Sequence, residues 1–213
     1  MTGWAVDALC AGKAVPFKGS EQSAFAKLPV SGPVAILSSG LAGDEQADRK
    51  HHGGPDMALH LYPTDHRTFW QQQIGEHPLL QAPGAFGTNL AVSNIDEAQV
   101  HIGDQFRLGT ALIEISQTRK PCWKIEHRFG HKKMVAAIIS SGNSGWYFRV
   151  LEEGSTSAGD VLKRVAIGDQ DWSVSRVFST LFGSKASQQD FKALASLEKL
   201  SADHRARAQK RLT

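Results

Sequence analysis

One cysteine of this chain stands among positively charged residues. Cys122 follows Arg119 and Lys120 and precedes Lys124, just after a segment of alternating apolar residues. Nearby positive charge favours the thiolate, which is the form of cysteine that attacks an electrophile or binds a metal. A buried, inert thiol is the common alternative, and it is the role we expect for Cys10, which has no such neighbours. We therefore expect a functional role for Cys122.

A cationic loop with two adjacent glycines lies earlier in the chain, directly before a predicted strand. It is formed by Arg49, Lys50, His51, His52, Gly53 and Gly54. Adjacent glycines let the backbone approach an anion closely and present its amides, while the cationic side chains add charge. The same pattern is also typical of a tight turn with solvated charges. A zinc site that adds His60 and His66 is a weaker alternative, because no carboxylate or cysteine stands at a usual ligand spacing.

A third loop, residues 83–90, is interrupted by glycines and carries an amide side chain, Asn89, near its end. This amide can hydrogen-bond a ligand or hold the turn itself. The residues alone leave both alternatives open.

The composition of the whole chain excludes several classes of protein. Its 213 residues are 41% hydrophobic and 21% charged, with a mean hydropathy of −0.28. These values are typical of a globular domain and unlike a disordered, collagenous or coiled-coil chain. The net charge of +3 comes from residues 186–213, which hold six basic and three acidic side chains, whereas residues 1–185 are neutral. The charge of the main body therefore gives no indication of nucleic-acid binding.

The expected compartment follows from what the sequence lacks. Two cysteines cannot form a disulfide scaffold. No apolar run is long enough for a membrane helix, and the first residues lack the basic region of a signal peptide. We expect a cytoplasmic protein with no membrane partner.

Glycine and proline divide the chain into two regions. All 20 glycines lie at or before Gly183 and all eight prolines at or before Pro121, so a turn-rich region precedes a helical one. Strands are predicted at 34–37, 57–62, 90–92, 105–108, 111–116, 135–140, 146–151 and 161–165, and one helix at about 63–73. Short strands joined by recurring Gly-Asp turns favour a closed antiparallel barrel over a parallel sheet.

The last part of the chain has helical periodicity. An apolar stripe through Val174, Val177 and Leu181 predicts a helix that ends at Gly183. Ser187 and Asp190 have the spacing of a capping box at the start of a second helix. A third helix is expected within residues 202–212. Because such short helices are unstable alone, we expect them to pack on one another or on the barrel.

Five motifs occur in the order found in one protein family. They are Lys-His-His-Gly-Gly-Pro-Asp-Met-Ala at 50–58, Phe-Gly-Thr-Asn-Leu at 86–90, Ile-Gly-Asp-Gln-Phe-Arg-Leu-Gly at 102–109, Ser-Gln-Thr-Arg-Lys-Pro-Cys at 116–122 and Gly-Trp-Tyr-Phe-Arg-Val-Leu at 145–151. The succession resembles the MOSC domain, in particular its YiiM-like branch of 6-N-hydroxylaminopurine resistance proteins. The resemblance covers about residues 25–165, and the helical tail is similar to the three-helix extension of that branch.

The resemblance implies a mainly β fold, a closed β-barrel of the pyruvate-kinase-insert type, with a small C-terminal helical bundle. We expect the barrel domain to span residues 1–167 and the three-helix extension to span residues 168–213.

The resemblance also implies a molybdenum cofactor (molybdopterin). By family, Cys122 is the molybdenum ligand, and a soft thiolate suits a sulfur-rich metal centre. Asn89 and Arg119 match family positions near the metal, so these three residues form the expected catalytic set. Lys27 matches a family lysine that pairs with the phosphate or the pterin, and the loop at 49–54 becomes the candidate phosphate site. Thr88 and Thr118 depart from the family pattern and bear on the substrate side of the site.

The expected activity is the reduction of N-hydroxylated compounds, such as hydroxylaminopurines, to amines. The chain has no Rossmann fingerprint and no haem or iron–sulfur motif, so a separate flavoprotein is the expected electron donor. One alternative is a non-catalytic module that binds the cofactor or carries sulfur on Cys122. Another is that the basic tail docks a nucleic acid or a protein partner, although a solvated helix face explains its charge more simply. We expect no stable nucleic-acid binding.

Overall fold

A computed structural model describes residues 2–47 and 53–212 of the chain. The strands are β1 (Gly3–Ala11), β2 (Val15–Lys18), β3 (Glu21–Ser23), β4 (Leu28–Pro29), β5 (Val34–Leu37), β6 (Gly40–Leu41), β7 (Leu59–Pro63), β8 (Leu90–Val92), β9 (Gln105–Leu108), β10 (Ala111–Thr118), β11 (Trp146–Glu152), β12 (Gly154–Thr156) and β13 (Val161–Ala166). The helices are α1 (His66–Ile74), α2 (Lys124–Phe129), α3 (Met134–Ser141), α4 (Val174–Phe182), α5 (Gln188–Ser196) and α6 (Ala202–Gln209).

Seven strands close into a barrel in the order β13-β9-β10-β11-β7-β8-β1. β1 closes it, because its first residues pair with β13 and its middle residues pair with β8. Every neighbouring pair is antiparallel except β7 and β8, which run parallel. The expected closed β-barrel with C-terminal helices is confirmed.

The barrel interior is filled by alternate side chains of its strands. On β10, Ala111, Ile113 and Ile115 are fully buried, and Phe106 and Phe148 of the neighbouring strands meet edge-on. This period of two is the one expected of a strand with one face in the core. The interior is therefore a packed core, and the functional groups must lie at its ends.

The three C-terminal helices pack on the barrel and share its core. Val174, Val177 and Leu181 of α4 and Leu194 of α5 belong to the same buried cluster as the barrel strands. The predicted capping box of Ser187 and Asp190 is present. The helical extension is confirmed, whereas the division at residue 167 stays a prediction.

Two sequence expectations differ from the structure. The segment 135–140, predicted as a strand, lies in helix α3. A short apolar run fits a buried strand or a buried helix equally well, and here Met134 and Ile138, one helical turn apart, are the buried pair. Strand β1 was not predicted, because Asp7 interrupts its apolar pattern.

Candidate functional site

A pocket opens at one end of the barrel, where several loops meet. We call it the inner pocket, and its polar lining includes Lys27, Asp44, His60, Asn89, Arg119, Cys122 and Tyr147. A second, wider space, the outer chamber, adjoins it and includes Lys120, Cys122, Trp123, Asp203, His204 and Arg207 in its lining. Lys120, Cys122 and Tyr147 line both spaces, so the two are continuous. The structure therefore brings Cys122, Asn89, Arg119 and Lys27 to one place.

Lys27 is held in the inner pocket by an ion pair with Asp44. Its ammonium donates to Asp44 Oδ2, and the two side chains are only 11% and 5% exposed. Burial lowers the pKa of Lys27 from its ordinary value, and the charge and hydrogen bond of Asp44 oppose that shift. Sequence reasoning missed Asp44, which carries no signal beyond a Gly-Asp turn. The pair places a buried cation at the pocket wall.

The side chain of Asn89 is fully engaged within the protein. Its Nδ2 donates to Asp44 Oδ2 at 2.9 Å and to the Cys10 carbonyl at 3.1 Å, while its Oδ1 accepts from the His60 amide at 3.0 Å. The amide therefore ties β1 and β7 to the ion pair. The sequence left two roles open for Asn89, contact with a ligand and support of the turn. In the structure, both hydrogens of its side-chain amide are already donated to protein atoms, on Asp44 and Cys10.

Arg119 presents a buried guanidinium to the same pocket. The residue is 5% exposed, and its guanidinium lies 5.3 Å from the centre of the Phe25 ring. It also hydrogen-bonds the hydroxyl of Tyr147. Among the residues that the structure describes, no carboxylate lies within 4.0 Å of it. A buried cation in this setting is suited to an anionic ligand.

Two aromatic side chains of the pocket have shifted pKa values. Burial holds the pKa of His60 well below its usual range, and the positive charge of Arg119 adds to this effect. His60 is therefore neutral near pH 7; its Nδ1 contacts the Gly87 carbonyl at 3.2 Å. Its buried Nε2 lies against the turn of Ser144 and Gly145. Burial also raises the pKa of Tyr147, against the influence of Arg119.

A buried carboxylate outside the pocket holds the turn beneath it. Glu97 accepts from the amides of Ser144 and Gly145 at 3.0 and 2.7 Å and pairs with His66 at 2.9 Å. The Gly145 carbonyl in turn accepts from the Arg119 amide at 3.1 Å. Glu97 therefore positions Arg119 through the backbone, a role that no sequence motif indicated.

Cys122 lies in the loop between β10 and α2. Its side chain is partly buried, and its carbonyl accepts from the Ile125 amide at 3.1 Å, which begins the helical turn. Because Cys122 lines both spaces, it lies where the outer chamber and the inner pocket meet. Cys10, expected to be structural, is completely buried, and burial raises the pKa of its thiol to about 11.

Part of the predicted phosphate loop is described. Gly53 lines the outer chamber, and the amide of Gly54 donates to Gln46 Oε1 at 3.2 Å. Gly54 has a φ of +103° and a ψ of 171°, a conformation reserved almost entirely for glycine. Arg49, Lys50, His51 and His52 lie outside the described residues, so their predicted role stays a prediction.

The zinc alternative gains no support from the described residues. Residues 2–47 and 53–212 contain no group of three or more His, Cys, Asp or Glu side chains arranged for a metal. His66 is paired with Glu97, and His60 contacts Gly87. In the same part of the chain, no helix is both long and apolar enough to cross a membrane.

The donor set of the inner pocket fits a molybdenum cofactor. Lys27 and Arg119 are buried cations suited to its anionic groups, and Cys122 supplies a soft sulfur ligand.

Both parts of the chain resemble known proteins. Residues 48–163 match the MOSC domain, and residues 172–213 match the YiiM-like, 3-alpha helix domain. Protein YiiM of Escherichia coli is 39% identical over 155 residues, covering 73% of this chain and 69% of that protein. A Gibberella moniliformis protein named "Reductase" is 36% identical over 160 residues, which are 75% of this chain but 28% of that protein.

A solved structure extends the likeness to the whole chain. The crystal structure of YiiM from Geobacillus stearothermophilus superimposes with a TM-score of 0.85 at 30% identity and covers 100% of both chains. The chain therefore belongs to the MOSC domain family and carries the YiiM-like three-helix domain at its C-terminal end.

Proposed function

We propose that the protein is a molybdenum-cofactor-dependent reductase that converts N-hydroxylated compounds to amines in the cytoplasm. The observation that carries the proposal is the convergence of Cys122, Arg119 and Lys27 on one pocket that opens into a wider chamber. MOSC membership supports an oxidoreductase-type activity, as does the name of the Gibberella relative.

In this proposal the inner pocket binds the cofactor. Cys122 is the protein ligand of the metal, while Lys27, Arg119 and the loop at 49–54 hold its anionic groups. Asn89 acts through Asp44 and His60, whose positions it fixes. The neutral His60 forms part of the pocket wall, with its Nδ1 turned to the Gly87 carbonyl.

When bound, the molybdenum cofactor supplies the two-electron chemistry that removes the hydroxyl oxygen of the substrate. The overall change is R–NHOH + 2 e⁻ + 2 H⁺ → R–NH₂ + H₂O, in which the N–O bond breaks and the oxygen leaves as water. The protein orients the substrate in the outer chamber and limits the access of water to the inner pocket.

The two electrons come, in this proposal, from a separate flavoprotein. The chain has no nucleotide-binding fingerprint and no haem or iron–sulfur motif of its own. The "Reductase" relative is consistent with such a division, since most of that protein lies outside the matched region.

The test is metal analysis of the protein made in a host that synthesises the cofactor, followed by reduction of benzamidoxime or 6-N-hydroxylaminopurine with a chemical electron donor. We expect about one molybdenum per chain and reduction by the wild type. Cys122→Ser is expected to lose the molybdenum and the reductase activity. Cys10→Ala, at the other cysteine, is expected to keep the molybdenum and the activity.

Each other result decides against a part of the proposal. Stoichiometric molybdenum without reduction would support the non-catalytic cofactor carrier instead. Full activity in Cys122→Ser would overturn the assignment of the metal ligand.

A further inference from the structure

We propose that helix α6 of the C-terminal extension is a wall of the substrate site, where Arg207 and Trp123, which line the same chamber, select flat heteroaromatic substrates. The inference rests on the proposed function for the reaction, and it adds which residues recognise the part of the substrate that does not react. It gives the helical extension a direct role in specificity.

Helix α6 borders the outer chamber. Asp203, His204 and Arg207 line the outer chamber together with Cys122 and Trp123. The same chamber continues into the inner pocket at Cys122. A substrate that occupies the chamber with its reacting group near Cys122 therefore lies against residues of α6.

The helix is fixed in this position by contacts with the barrel and with α4. The amide of Ser201, at its start, donates to the Ser116 carbonyl of β10 at 2.9 Å. The ring of His204 packs edge-on against Phe182, and the Arg207 guanidinium lies 5.4 Å from the centre of the same ring. A wall held in this way is preorganised, so little ordering is required when a ligand binds.

The polar groups of this wall are incompletely satisfied. His204 is 1% exposed, and neither its Nε2 nor the Nε of Arg207 has a hydrogen-bond partner among the described residues. Buried polar groups without partners are rare in native proteins, and each is costly. These two nitrogens are enclosed in the packing of α6 against Phe182, whereas Arg207 as a whole is only half-buried, so the exposed part of its side chain is what this wall offers to the chamber.

The carboxylate of Asp203 does not accept hydrogen bonds from the unpartnered nitrogens of His204 and Arg207. The neighbouring His204 lowers the pKa of this carboxylate, with smaller contributions from the charges of Arg207 and Lys120. The side chain is 72% exposed and its Oδ2 lies 3.5 Å from His204 Nδ1. Arg207 therefore remains the side chain of this wall that can donate to a ligand rich in hydrogen-bond acceptors.

Trp123 adds a flat apolar surface to the lining of the chamber. Trp123 is 40% exposed although it borders Cys122, and Phe17 and His127 hold its indole at ring distances of 5.9 and 6.2 Å. The Lys18 ammonium lies 5.2 Å from the centre of the Trp123 ring, and an aromatic ligand stacks well on the part of a fixed indole that stays exposed. A purine-like base combines a stacking face with an acceptor-rich edge, whereas a small aliphatic N-hydroxylated compound has neither.

The first test measures binding without turnover. Adenine, the amine product of a hydroxylaminopurine, is titrated by calorimetry into full-length protein isolated from the cofactor-producing host. Arg207→Met keeps the packing on Phe182 and removes the charge; we expect it to weaken binding about tenfold. Trp123→Leu is expected to weaken it by a similar factor. Arg205→Met makes the same charge change on the same helix outside the chamber and should bind like the wild type.

The second test compares two substrates. For Arg207→Met, KM for 6-N-hydroxylaminopurine should rise about tenfold, whereas kcat and the KM for N-hydroxyurea should stay unchanged. Equal adenine affinity in Arg207→Met and the wild type, or no measurable affinity in the wild type, would overturn the inference. If adenine binding depends on Arg207 while no compound is reduced, the recognition site stands and the reductase proposal fails. If reduction occurs with the same KM in every variant, the reductase proposal stands and the recognition site on α6 fails.

Discussion

The carboxylate of Asp44 forms a buried ion pair with the ammonium of Lys27 and also accepts a hydrogen bond from the Asn89 amide. Its other oxygen accepts from the Gly12 amide at 2.7 Å, at the end of β1. One acidic side chain thus connects the strand that closes the barrel to the cation that we assign to cofactor binding. The stability of the barrel and the charge of the site are coupled at this residue.

Replacing Asp44 by asparagine is expected to destabilise the protein strongly. The buried ammonium of Lys27 would lose its negative partner, and breaking such a pair costs about 3 kcal/mol. Urea unfolding measures the change. The double variant Asp44→Asn with Lys27→Met should be less destabilised than the single variant, since no uncompensated charge remains. Glu45→Gln, which breaks the exposed pair with Lys13, is the control and should unfold like the wild type. Wild-type stability of Asp44→Asn would contradict this account of the ion pair.

The elements predicted from the sequence are those with clear local signals. The period of two in residues 111–116 predicted β10, and the 3.6-residue period through Val174 and Leu181 predicted α4. Local signals failed at α3, where a run of six apolar or small residues satisfies either period. Only the space left by the finished barrel decides between helix and strand there.

The site shows the same division between local and long-range information. Cys122 and Arg119 stand in one motif, so the sequence alone predicted a cysteine beside positive charge. Asp44 and Tyr147 become parts of the site only because strands distant in sequence close into a barrel. His204 lies in an ordinary helical tail, and its contact with the chamber depends on how α6 packs on β10.

Acidification is expected to destabilise the protein through His60. The folded state keeps this imidazole neutral because burial depresses its pKa, whereas the unfolded chain takes up a proton below about pH 6.5. The unfolded state binds more protons, so stability falls as the pH falls. The loss from this residue reaches about 1.4 kcal/mol at about pH 5.5. Urea unfolding at several pH values measures the slope.

The variant His60→Gln isolates that contribution. It should show a shallower decline in stability between about pH 7.5 and about pH 5.5. His131→Gln, at an exposed position, should keep the wild-type slope. An unchanged slope in His60→Gln would show that the imidazole is not held neutral in the folded protein.

The C-terminal helices are expected to unfold together with the barrel. Leu194 of α5 is fully buried in the cluster that contains the barrel strands, so Leu194→Ala should remove about 3 kcal/mol from the whole protein. Tryptophan fluorescence and circular dichroism should report one shared transition. Lys192→Ala, on the exposed side of the same helix, should leave that transition in place. Separate transitions for helices and barrel would disprove the shared core.

Gly145 is the position where a single methyl group should damage both fold and site. It has a φ of +70°, and an added Cβ would lie 2.3 Å from the Leu61 carbonyl oxygen and 2.8 Å from His60 Nε2. We expect Gly145→Ala to cost about 3 kcal/mol and to lower the molybdenum content, because the Gly145 carbonyl of the displaced turn accepts the hydrogen bond that positions the Arg119 amide. Gly43→Ala, with a φ of +86° and no described atom within 4 Å of the added Cβ, separates backbone strain from collision. It should cost about 1 kcal/mol and leave the metal content unchanged. Equal losses in the two variants would mean that the turn can move away from His60 and that the close packing beneath the pocket is dispensable.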